Sequence, residues 1–422
     1  MSGQILDELR WRGLIANLTD EAALRDALSA GPLTFYCGFD PTAPSLHFGN
    51  LVQLVTMRRF QQAGHHPIAV VGGATGLVGD PSGKSAERTL QEVDVVEAWV
   101  ERIRVQIQHL LSFEGENPAR IVNNLEWTSG LSTIAFLRDI GKHFSVARML
   151  EKEAVAARLS DEGISFTEFS YQILQAMDYL ELHRRYGCVL QTGGSDQWGN
   201  LTAGVDLIRR VERASVHAMA TPLITRSDGT KYGKSEQGAV FLDPHMTSPF
   251  AFYQYFLNQA DADVGPLLKV FSFRSREEIT ELEAGVAARP EARAAQRALA
   301  EELTAMVHGH EESARAVDAS EAVFGSGDLA GVDEQTLEAA VAELARTEFS
   351  GQPPAILDLL VGTGLARSRG DARRVVGEGG AYLNNRRLTD PAHVPNDADF
   401  LHGRWLFVRR GKRQLAVVER KA

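Results

Sequence analysis

The stretch Tyr36-Cys-Gly-Phe-Asp-Pro-Thr-Ala-Pro-Ser-Leu-His-Phe-Gly-Asn50 decides the fold class of this 422-residue chain. Apolar residues at 33–37 predict a buried strand, Gly38 and Pro41 are predicted to break it, and a helix is predicted to begin at His47. A small residue and a ring donor at the amino end of a helix that follows a strand form a site for an anion. The stretch therefore predicts an α/β domain with an anion-binding crevice.

A short loop with two lysines lies far downstream, at Lys231-Tyr-Gly-Lys-Ser235. Gly229 and Gly233 give this loop backbone freedom, so we expect it to be mobile. Its ammonium groups suit a leaving group whose negative charge grows during a reaction, such as pyrophosphate. Taken alone, the loop is also typical of an ordinary Asp-Gly turn with exposed lysines. Together, the two elements predict a nucleotide held between a fixed wall and a moving one.

Apolar runs alternate with amphipathic helices from residue 33 to about 247, which predicts a parallel sheet with crossover helices. The predicted strands include 33–37, 67–72, 188–191 and 217–223, and the predicted helices include 51–62 and 169–185. Ligands of such sheets bind beyond the carboxyl ends of the strands. Three polar segments follow strands in this way, at 38–50, 72–84 and 192–200.

The pattern changes after Pro249, where alanine, glutamate and arginine with helical spacing predict an α-helical region. Near the end, Ser368 is predicted to cap a basic helix, Gly379-Gly380 to end it, and the segment from 405 to form a basic hairpin. The predicted organisation is a Rossmann-like parallel-sheet domain at 1–247, an α-helical domain at 248–325, a linker at 326–352 and a small α+β domain at 353–422.

The charge of the chain is unevenly distributed. The formal net charge of −11 argues against non-specific binding to polyanions. Residues 351–422 nevertheless contain 13 Lys and Arg against 7 Asp and Glu. An acidic body with a basic tail fits a protein that binds one specific RNA, although a solvated basic tail would have the same composition.

Several classes of protein are disfavoured. No apolar run reaches the length of a membrane span, and the amino terminus lacks the order of a signal peptide. Two cysteines provide neither a disulfide framework nor a metal set, so a reducing, cytoplasmic setting is expected. His65, His66, His308 and His310 lack partners at ligand spacing, so we expect solvated surface histidines and no structural metal.

Tyr171, Gln175 and Asp178 have the i, i+4, i+7 spacing of one helix face. A solvent-exposed face would give the same pattern. The first two side chains can meet an amino group, and the Asp178 carboxylate can accept a hydrogen bond from a phenol. Tyr36, at the end of the first predicted strand, can bond the same phenol.

The glycine-rich run from 72 to 85 is one glycine short of a phosphate-binding Walker A loop, because Val78 occupies the first required position. We expect it to allow close approach of the backbone to a ligand, with only tight strand–helix packing as the alternative. Asp80 can hold an ammonium group, and Lys84 and Arg88 extend a cationic wall.

A third turn, Gly193-Gly-Ser-Asp-Gln-Trp-Gly-Asn200, follows another predicted strand. Asp196 can accept hydrogen bonds from ribose hydroxyls, and Gln197 can reach a carboxylate or an amine. Taken singly the turn is unremarkable, but it falls at the same edge of the predicted sheet as the other two motifs.

The two cationic elements resemble the HIGH and KMSKS signatures of class I aminoacyl-tRNA synthetases, and nearly the whole chain resembles the bacterial tyrosyl-tRNA synthetases. The segments that match the family's tyrosine and ATP site are 36–42, 72–81, 166–171, 175–178 and 194–200. The last seventy residues resemble the family's RNA-binding tail, a module called the alpha-L motif. One departure is Asn50, where the family has a histidine. Asparagine still donates a hydrogen bond but cannot carry a proton's charge.

The resemblance implies an enzyme that activates L-tyrosine with ATP to tyrosyl-adenylate and pyrophosphate, then transfers tyrosine to the 3′-terminal adenosine of tRNA(Tyr). It implies Mg²⁺ arriving with ATP, no covalent enzyme intermediate, and a homodimer in which one tRNA contacts both subunits. The tyrosine set so implied is Tyr36, Asp80, Tyr171, Gln175, Asp178 and Gln197. The ATP set is Cys37, Asp40, Thr42, Gly49 and Asp196, and the catalytic set is His47, Asn50, Lys84, Arg88, Lys231, Lys234 and Ser235.

Two alternatives stay open from the sequence. A tryptophanyl enzyme shares the fold and signatures, but the phenol-directed pair and the basic tail disfavour it. A non-catalytic RNA-binding or scaffold protein descended from a synthetase is disfavoured because His47, Asp80, Lys231 and Lys234 are intact. Exchange of pyrophosphate into ATP in the presence of an amino acid separates these possibilities.

Overall fold

The computed structural model describes residues 4–82, 91–152, 155–156, 163–230, 232–235, 238–325, 327–342, 344–411 and 414–421. Contacts group the chain into two compact units. The first unit comprises Met1–Asp243 and Ala260–Ala288, and the second comprises Pro244–Gln259 and Arg289–Ala422. No helix within the described residues is both long enough and apolar enough to cross a membrane.

A six-stranded sheet is the core of the first unit. Its strands are β1 Asn17–Leu18, β2 Thr34–Phe39, β3 His66–Val71, β4 Arg120–Asn123, β5 Cys188–Gly194 and β6 His217–Thr221. They lie in the order β1-β6-β5-β2-β3-β4, and every neighbouring pair is parallel except β1 and β6. The predicted parallel sheet is confirmed. The predicted break at Gly38 is wrong, because the pairing of β2 with β3 continues through Gly38 to Phe39.

The helices of this unit connect and cover the strands. They are Ile5–Trp11, Glu21–Ala30, Phe48–Gln62, Thr75–Val78, Val93–Leu110, Leu125–Thr128, Thr133–Ala135, Val146–Leu150, Phe166–Tyr186, Trp198–Val211, Asp261–Phe271 and Arg276–Ala288. The first unit also contains a π-helix at Phe136–Ile140 and 3₁₀ turns at Gly141–His143 and Ser195–Gln197. A small antiparallel ladder pairs β7 Lys234–Ser235 with β8 Gly238–Ala239.

The long helix Phe166–Tyr186 shows why these residues form a helix. The Ser165 hydroxyl accepts a hydrogen bond from the Glu168 amide at 3.2 Å, which satisfies one free donor of the first turn. At the other end Gly187 takes a left-handed conformation with φ 62°, which glycine adopts without strain. The predicted helix at 169–185 is therefore confirmed and extended by three residues at its start.

The helix Asp261–Phe271 belongs to the first unit, although the boundary predicted at 247/248 assigns it to a helical domain. Two buried guanidinium groups hold its carboxyl end. Arg12 donates to the Ser272 carbonyl at 2.7 Å, and Arg59 donates to the same oxygen at 2.6 Å. Long-range contacts of this kind leave no mark in the local composition, which is why the boundary could not be placed from the sequence.

The second unit joins a helical layer to a five-stranded sheet. Its helices are Pro249–Leu257, Ala294–His308, His310–Phe324, Glu334–Ala342, Ile356–Gly362 and Arg369–Gly377, with 3₁₀ turns at Pro290–Ala292, Leu329–Gly331 and Asp397–Asp399. Its strands are β9 Arg346–Phe349, β10 Ala381–Leu383, β11 Arg386–Leu388, β12 Trp405–Arg410 and β13 Gln414–Arg420, in the order β11-β10-β12-β13-β9. The predicted carboxyl-terminal hairpin is β12–β13.

The segment 326–352 is not a simple linker. The helix Glu334–Ala342 buries Leu337 and Val341, and β9 pairs in parallel with β13 at the edge of the sheet. The sequence prediction misread this stretch because β9 alternates exposed and half-buried residues and has no apolar run of its own.

Side chains from the sheet cap the carboxyl end of helix His310–Phe324. Arg409 donates to the Val323 carbonyl at 2.6 Å and the Gly325 carbonyl at 3.1 Å. Asn385, in a turn with φ 63°, donates to the Ala322 carbonyl at 2.6 Å. Carbonyls at the last turn of a helix have no partner within the helix, so these donors satisfy groups that burial would otherwise leave unpaired.

We predict that Arg409→Met lowers the free energy of unfolding by about 2–3 kcal/mol, because it leaves buried helix-end carbonyls without donors. Urea denaturation followed by circular dichroism measures the change. Arg373→Met is the matched control, since Arg373 is exposed on helix Arg369–Gly377. Equal stability of the two variants would contradict the prediction.

Candidate active site

A cavity of about 440 Å³ opens beyond the carboxyl ends of β2 and β5. β3 and β4 lie on one side of β2, whereas β5 and β6 lie on the other. The order in which strands are added to the sheet therefore reverses between β2 and β5, although the two strands are parallel. Crevices form at such switch points because the loops after the two strands diverge. The cavity is lined by the predicted site residues Tyr36, Cys37, Asp40, Thr42, His47, Gly49, Asn50, Asp80, Tyr171, Gln175, Asp178, Asp196 and Gln197.

The structure describes only part of the predicted set of cationic residues. Lys84, Arg88 and Lys231 lie outside the described residues. The backbone of Lys234 and Ser235 forms β7, and their side chains are also outside the description.

Asp178 lies at the bottom of the cavity with 4% of its surface exposed. Its two oxygens accept hydrogen bonds from Asn124 Nδ2 at 3.0 Å and Trp127 Nε1 at 2.8 Å. Burial raises the pKa of Asp178 to about 7, and these two neutral donors only partly oppose that rise. Sequence reasoning missed both donors, although they follow the end of β4 as the other motifs follow their strands.

Tyr36 is a second buried polar group in the cavity, with 2% of its surface exposed. Its hydroxyl has no hydrogen-bond partner within the described part of the chain. Burial, together with the charge of Asp178, raises the pKa of Tyr36 well above its usual value, so the hydroxyl stays protonated. A buried hydroxyl and a buried carboxylate in one cavity fit a ligand that carries its own hydroxyl group.

Asp40 is the centre of a hydrogen-bond network. The hydroxyls of Tyr171 and Thr75 each donate to its carboxylate at 2.6 Å. A side chain at Gly72 would come within 2.0 Å of an Asp40 oxygen, and one at Gly76 would meet Pro41 at 2.7 Å. These two glycines therefore serve tight packing, the alternative that the sequence left open for this loop.

Asp80 is held from the opposite side of the cavity. Gln197 Nε2 donates to Asp80 Oδ2 at 2.5 Å, and the Ser82 amide donates to Oδ1 at 3.0 Å. Asn200 Nδ2 bonds Gln197 Oε1 at 3.0 Å, which orients the glutamine. The Asp80 carboxylate and the Gln197 amide are therefore joined by a hydrogen bond in the cavity wall.

His47 and Asn50 form a capping box at the start of helix Phe48–Gln62. His47 Nδ1 accepts from the Gly49 amide at 3.0 Å, and Asn50 Oδ1 accepts from the His47 amide at 3.0 Å. Because Nδ1 accepts, the neutral imidazole carries its proton on Nε2. The side-chain oxygen of Asn50 is thus bonded within the capping box, and its side-chain NH₂ group can act as a hydrogen-bond donor.

The loop that contains the two lysines (the lysine loop, residues 231–235) is followed by a segment that pairs with residues 46–48 (the histidine stretch). Nearly 200 residues separate the two in sequence. The Phe48 amide donates to the Val240 carbonyl at 2.8 Å, and the Leu242 amide donates to the Leu46 carbonyl at 2.8 Å. The segment that follows the two lysines is thereby paired with the backbone on both sides of His47.

The prediction of solvated surface histidines is wrong for His65, which is fully buried. Its Nδ1 accepts from the Leu33 amide at 3.1 Å, and burial lowers its pKa to about 4. This histidine supports the chain before β2 in its neutral form. Across the described ranges, no group of three or more His, Cys, Asp or Glu side chains is arranged to hold a metal ion.

Two family models match the chain. Residues 28–325 match the family described as tRNA synthetases class I (W and Y), and residues 336–418 match the tyrosine–tRNA ligase SYY-like C-terminal domain. The second match begins inside the stretch that the sequence interpretation treated as a linker.

Sequence relatives and solved structures agree with these matches. The chain is 62% identical over 417 residues to a tyrosine–tRNA ligase of Streptomyces coelicolor, with 98% of each chain covered. It is 57% identical over 423 residues to one of Mycobacterium tuberculosis, with 100% of each covered. A C-terminally truncated mitochondrial tyrosyl-tRNA synthetase of Aspergillus nidulans superimposes with a TM-score of 0.68 at 29% identity, covering 74% of this chain and 92% of that chain.

A tryptophanyl-tRNA synthetase of Encephalitozoon cuniculi shares the fold, with a TM-score of 0.54 at 14% identity over 79% of this chain and 89% of that chain. The high identity over full length is to tyrosine enzymes, and the carboxyl-terminal match is specific to them. The chain belongs to the tyrosine–tRNA ligase family of class I aminoacyl-tRNA synthetases.

Proposed function

We propose that this protein is a tyrosine–tRNA ligase that activates L-tyrosine with ATP and then esterifies the 3′-terminal adenosine of tRNA(Tyr). The observation that carries the proposal is the buried pair Tyr36 and Asp178, in a chain 57–62% identical over its length to tyrosine–tRNA ligases. A cytoplasmic location is part of the proposal, because protein synthesis uses charged tRNA there.

The phenol O–H of the substrate donates a hydrogen bond to Asp178, and the phenol oxygen accepts one from the Tyr36 hydroxyl. Asn124 and Trp127 already fill one direction at each Asp178 oxygen, so the carboxylate is oriented before tyrosine arrives. Phenylalanine would leave the buried Tyr36 hydroxyl without a partner and would bring no phenol donor to Asp178. A discrimination of about 10⁵ against phenylalanine is the established value for tyrosyl-tRNA synthetases, and a loss of hydrogen bonds of this kind accounts for it.

The amino group and the carboxylate of tyrosine lie towards the other wall. Asp80 accepts from the ammonium group, and Gln197 fixes Asp80 while facing the carboxylate end of the substrate. The Tyr171 hydroxyl is committed to Asp40, so its phenol oxygen is an acceptor for the ammonium group rather than a donor. Gln175 lines the same cavity, and its Oε1 is buried with no partner among the described residues, which supports a role as a second acceptor.

In the activation step, a tyrosine carboxylate oxygen forms a bond to the α-phosphorus of ATP while the bond from that phosphorus to the bridging oxygen breaks. Pyrophosphate leaves with the bonding electron pair. The protein contributes orientation and donors rather than a covalent intermediate. His47 Nε2 and the Asn50 amide are the proposed donors of the fixed wall, and Mg²⁺ is taken up as part of the ATP substrate.

The remaining members of the ATP site follow the family pattern. Cys37 and Asp196 are proposed to contact the ribose, Gly49 to let the base and ribose approach the backbone, and Thr42 to contact ATP, with Asp40 supporting them through its hydrogen bonds. Burial raises the pKa of the Cys37 thiol to about 12, so it takes part as a neutral thiol. The pyrophosphate end is assigned to Lys84, Arg88, Lys231, Lys234 and Ser235.

Residues 353–422 are proposed to bind tRNA as the alpha-L type domain, with 248–325 on the anticodon side. The excess of basic residues after position 351 supports this role. The match of 336–418 to the family's carboxyl-terminal domain extends the proposed module upstream to include β9.

A homodimer is also proposed, and an apolar surface supports it. Among the described residues from 134 to 166, the exposed large apolar side chains are Ile134, Leu137, Val146, Leu150 and Phe166. Phe166 is the most exposed, at 74%. A concentration of apolar surface in one short region is typical of a protein interface.

The test of function is ATP–pyrophosphate exchange measured with tyrosine, tryptophan and phenylalanine, followed by charging of tRNA(Tyr). Exchange with tyrosine alone supports the proposal. Exchange with tryptophan would reassign the enzyme to the sister specificity, and no exchange with any of the three would indicate a binding protein with a synthetase fold.

We predict that Asp178→Asn lowers kcat/KM for tyrosine by at least about 100-fold. The new amide NH₂ would face either Asn124 Nδ2 or Trp127 Nε1, donor against donor, and could not accept from the phenol at that position. Exchange kinetics measure the loss, and circular dichroism checks the fold. Asp318→Asn, at an exposed position on helix His310–Phe324, is the control. Near-normal kcat/KM for Asp178→Asn would remove Asp178 from phenol recognition.

A second prediction concerns pH. Because the pKa of Asp178 is raised to about 7 in the unliganded protein, protons compete with the substrate phenol below that pH. We expect kcat/KM for tyrosine to rise as pH increases from 6 to about 8 and then to level off. At saturating tyrosine, kcat/KM for ATP should lack this step, because the bound phenol stabilises the charged carboxylate. A flat tyrosine profile would contradict the assignment.

We further predict that Phe166→Asp converts the dimer to monomers, because it replaces the most exposed of these apolar side chains with a charge that an interface would have to bury. Sedimentation velocity at micromolar protein concentration measures the change. Val93→Asp is the control, since Val93 is 54% exposed and lies outside residues 134–166. An unchanged sedimentation coefficient for Phe166→Asp would place the interface elsewhere.

A further inference from the structure

The lysine loop carries an aromatic residue, Tyr232, that the sequence interpretation left without a role. Its ring lies 6.1 Å from the ring of Phe48 at an interplanar angle of 65°, an edge-to-face contact. Phe48 follows His47 directly and is itself buried against Phe271, with ring centroids 4.5 Å apart. Tyr232 therefore rests on the first residue of the helix that begins at the capping box.

Residues 224–227, just before the lysine loop, also contact Tyr232 or the adjoining helix. The Tyr232 amide donates to the Ile224 carbonyl at 3.0 Å, and the Arg226 guanidinium lies 5.4 Å from the centre of the Tyr232 ring. Nearer the other end, the Ser227 amide donates to Asp263 Oδ1 at 2.8 Å. The phenyl ring of Tyr232 is thus in contact with Phe48 and with Arg226.

Tyr232 also faces the cavity, where it is a lining residue together with Phe48 and Ile224. It comes directly before Gly233, where φ is 96° and where an added side-chain carbon would lie 3.9 Å from the Gly49 amide. The loop backbone therefore passes against the histidine stretch at Gly233. An aromatic side chain beside this close approach can fix the distance between the lysine loop and the start of helix Phe48–Gln62.

We propose that Tyr232 is a positioning residue for ATP, which sets the place of the lysine loop against the fixed wall through its ring contact with Phe48. The inference rests on the proposed function, since it assigns Tyr232 to the ATP half of tyrosine activation. Gly233, which follows Tyr232 directly, passes against the Gly49 backbone, so a shift of the Tyr232 ring moves the loop backbone relative to the capping box. Its ring contacts Phe48, the neighbour of His47 in the ATP half of the site, so we expect its effect to fall on ATP and pyrophosphate while the KM for tyrosine stays near normal.

The kinetic test compares Tyr232→Ala and Tyr232→Phe in the full-length protein. We expect Tyr232→Ala to lower kcat/KM for ATP by about 10- to 100-fold in pyrophosphate exchange, with the KM for tyrosine within twofold of normal. Tyr232→Phe keeps the ring and should retain kcat/KM for ATP within about threefold. Tyr382→Ala, a tyrosine truncation in β10 of the second unit, is the matched control.

A second measurement needs no activity. Hydrogen–deuterium exchange of the ligand-free protein should show faster exchange at the Phe48 and Val240 amides in Tyr232→Ala, because the Phe48 amide is bonded to the Val240 carbonyl and the Val240 amide to the Gly233 carbonyl. Unchanged exchange together with unchanged ATP kinetics would overturn the inference. So would a loss in Tyr232→Phe equal to that in Tyr232→Ala, or a loss confined to the KM for tyrosine. If the wild-type protein catalyses no pyrophosphate exchange, the proposed function fails, and the hydrogen-exchange result still decides whether Tyr232 holds the loop.

Discussion

Parallel pairing on both edges of β2 determines where this molecule can bind a ligand. The chain runs from β2 to β3 and β4 in one direction and returns to add β5 and β6 in the other, so the loops after β2 and β5 part from each other. The fixed wall of the cavity follows β2, and the turn with Asp196 and Gln197 follows β5. The cavity between these loops is lined by described residues from distant parts of the chain, among them Tyr36, Asp80 and Asp178.

The chemistry inside the cavity reflects a second constraint, which is the cost of burying carboxylates. Asp40, Asp80 and Asp178 each accept hydrogen bonds from neutral donors, and at Asp178 burial raises the pKa although its two donors oppose the rise. Under the proposed function, the substrate phenol would add a further donor at Asp178 and the substrate ammonium group would meet Asp80, so affinity and selectivity would arise from the same buried groups.

The sequence predicted those parts of the molecule that local patterns encode. β2, the helix face of Tyr171 and Asp178, the cap at Ser368 and the carboxyl-terminal hairpin all follow from spacing and turn chemistry. Asn124 and Trp127 were missed because each is a single polar residue whose partner is more than fifty positions away. His65, the helix Asp261–Phe271 and β9 were misassigned for a related reason, since their placement depends on long-range contacts that no local window contains.

The capped end of helix His310–Phe324 bears on how independent the basic tail can be. Arg409 and Asn385 are supplied by the tail, whereas the carbonyls they satisfy belong to the helical layer before it. Trp405, Phe407 and Val417 share one apolar cluster with Val323, Leu337 and other residues of that layer. Separating the tail from the helical layer would therefore leave the carbonyls at the end of helix His310–Phe324 without donors. It would also expose the shared apolar cluster to water and leave Arg409 and Asn385 without these acceptors. The tail thus belongs to one folding unit with helix His310–Phe324 and its neighbours. A fusion protein that includes the tail would need to include these helices as well.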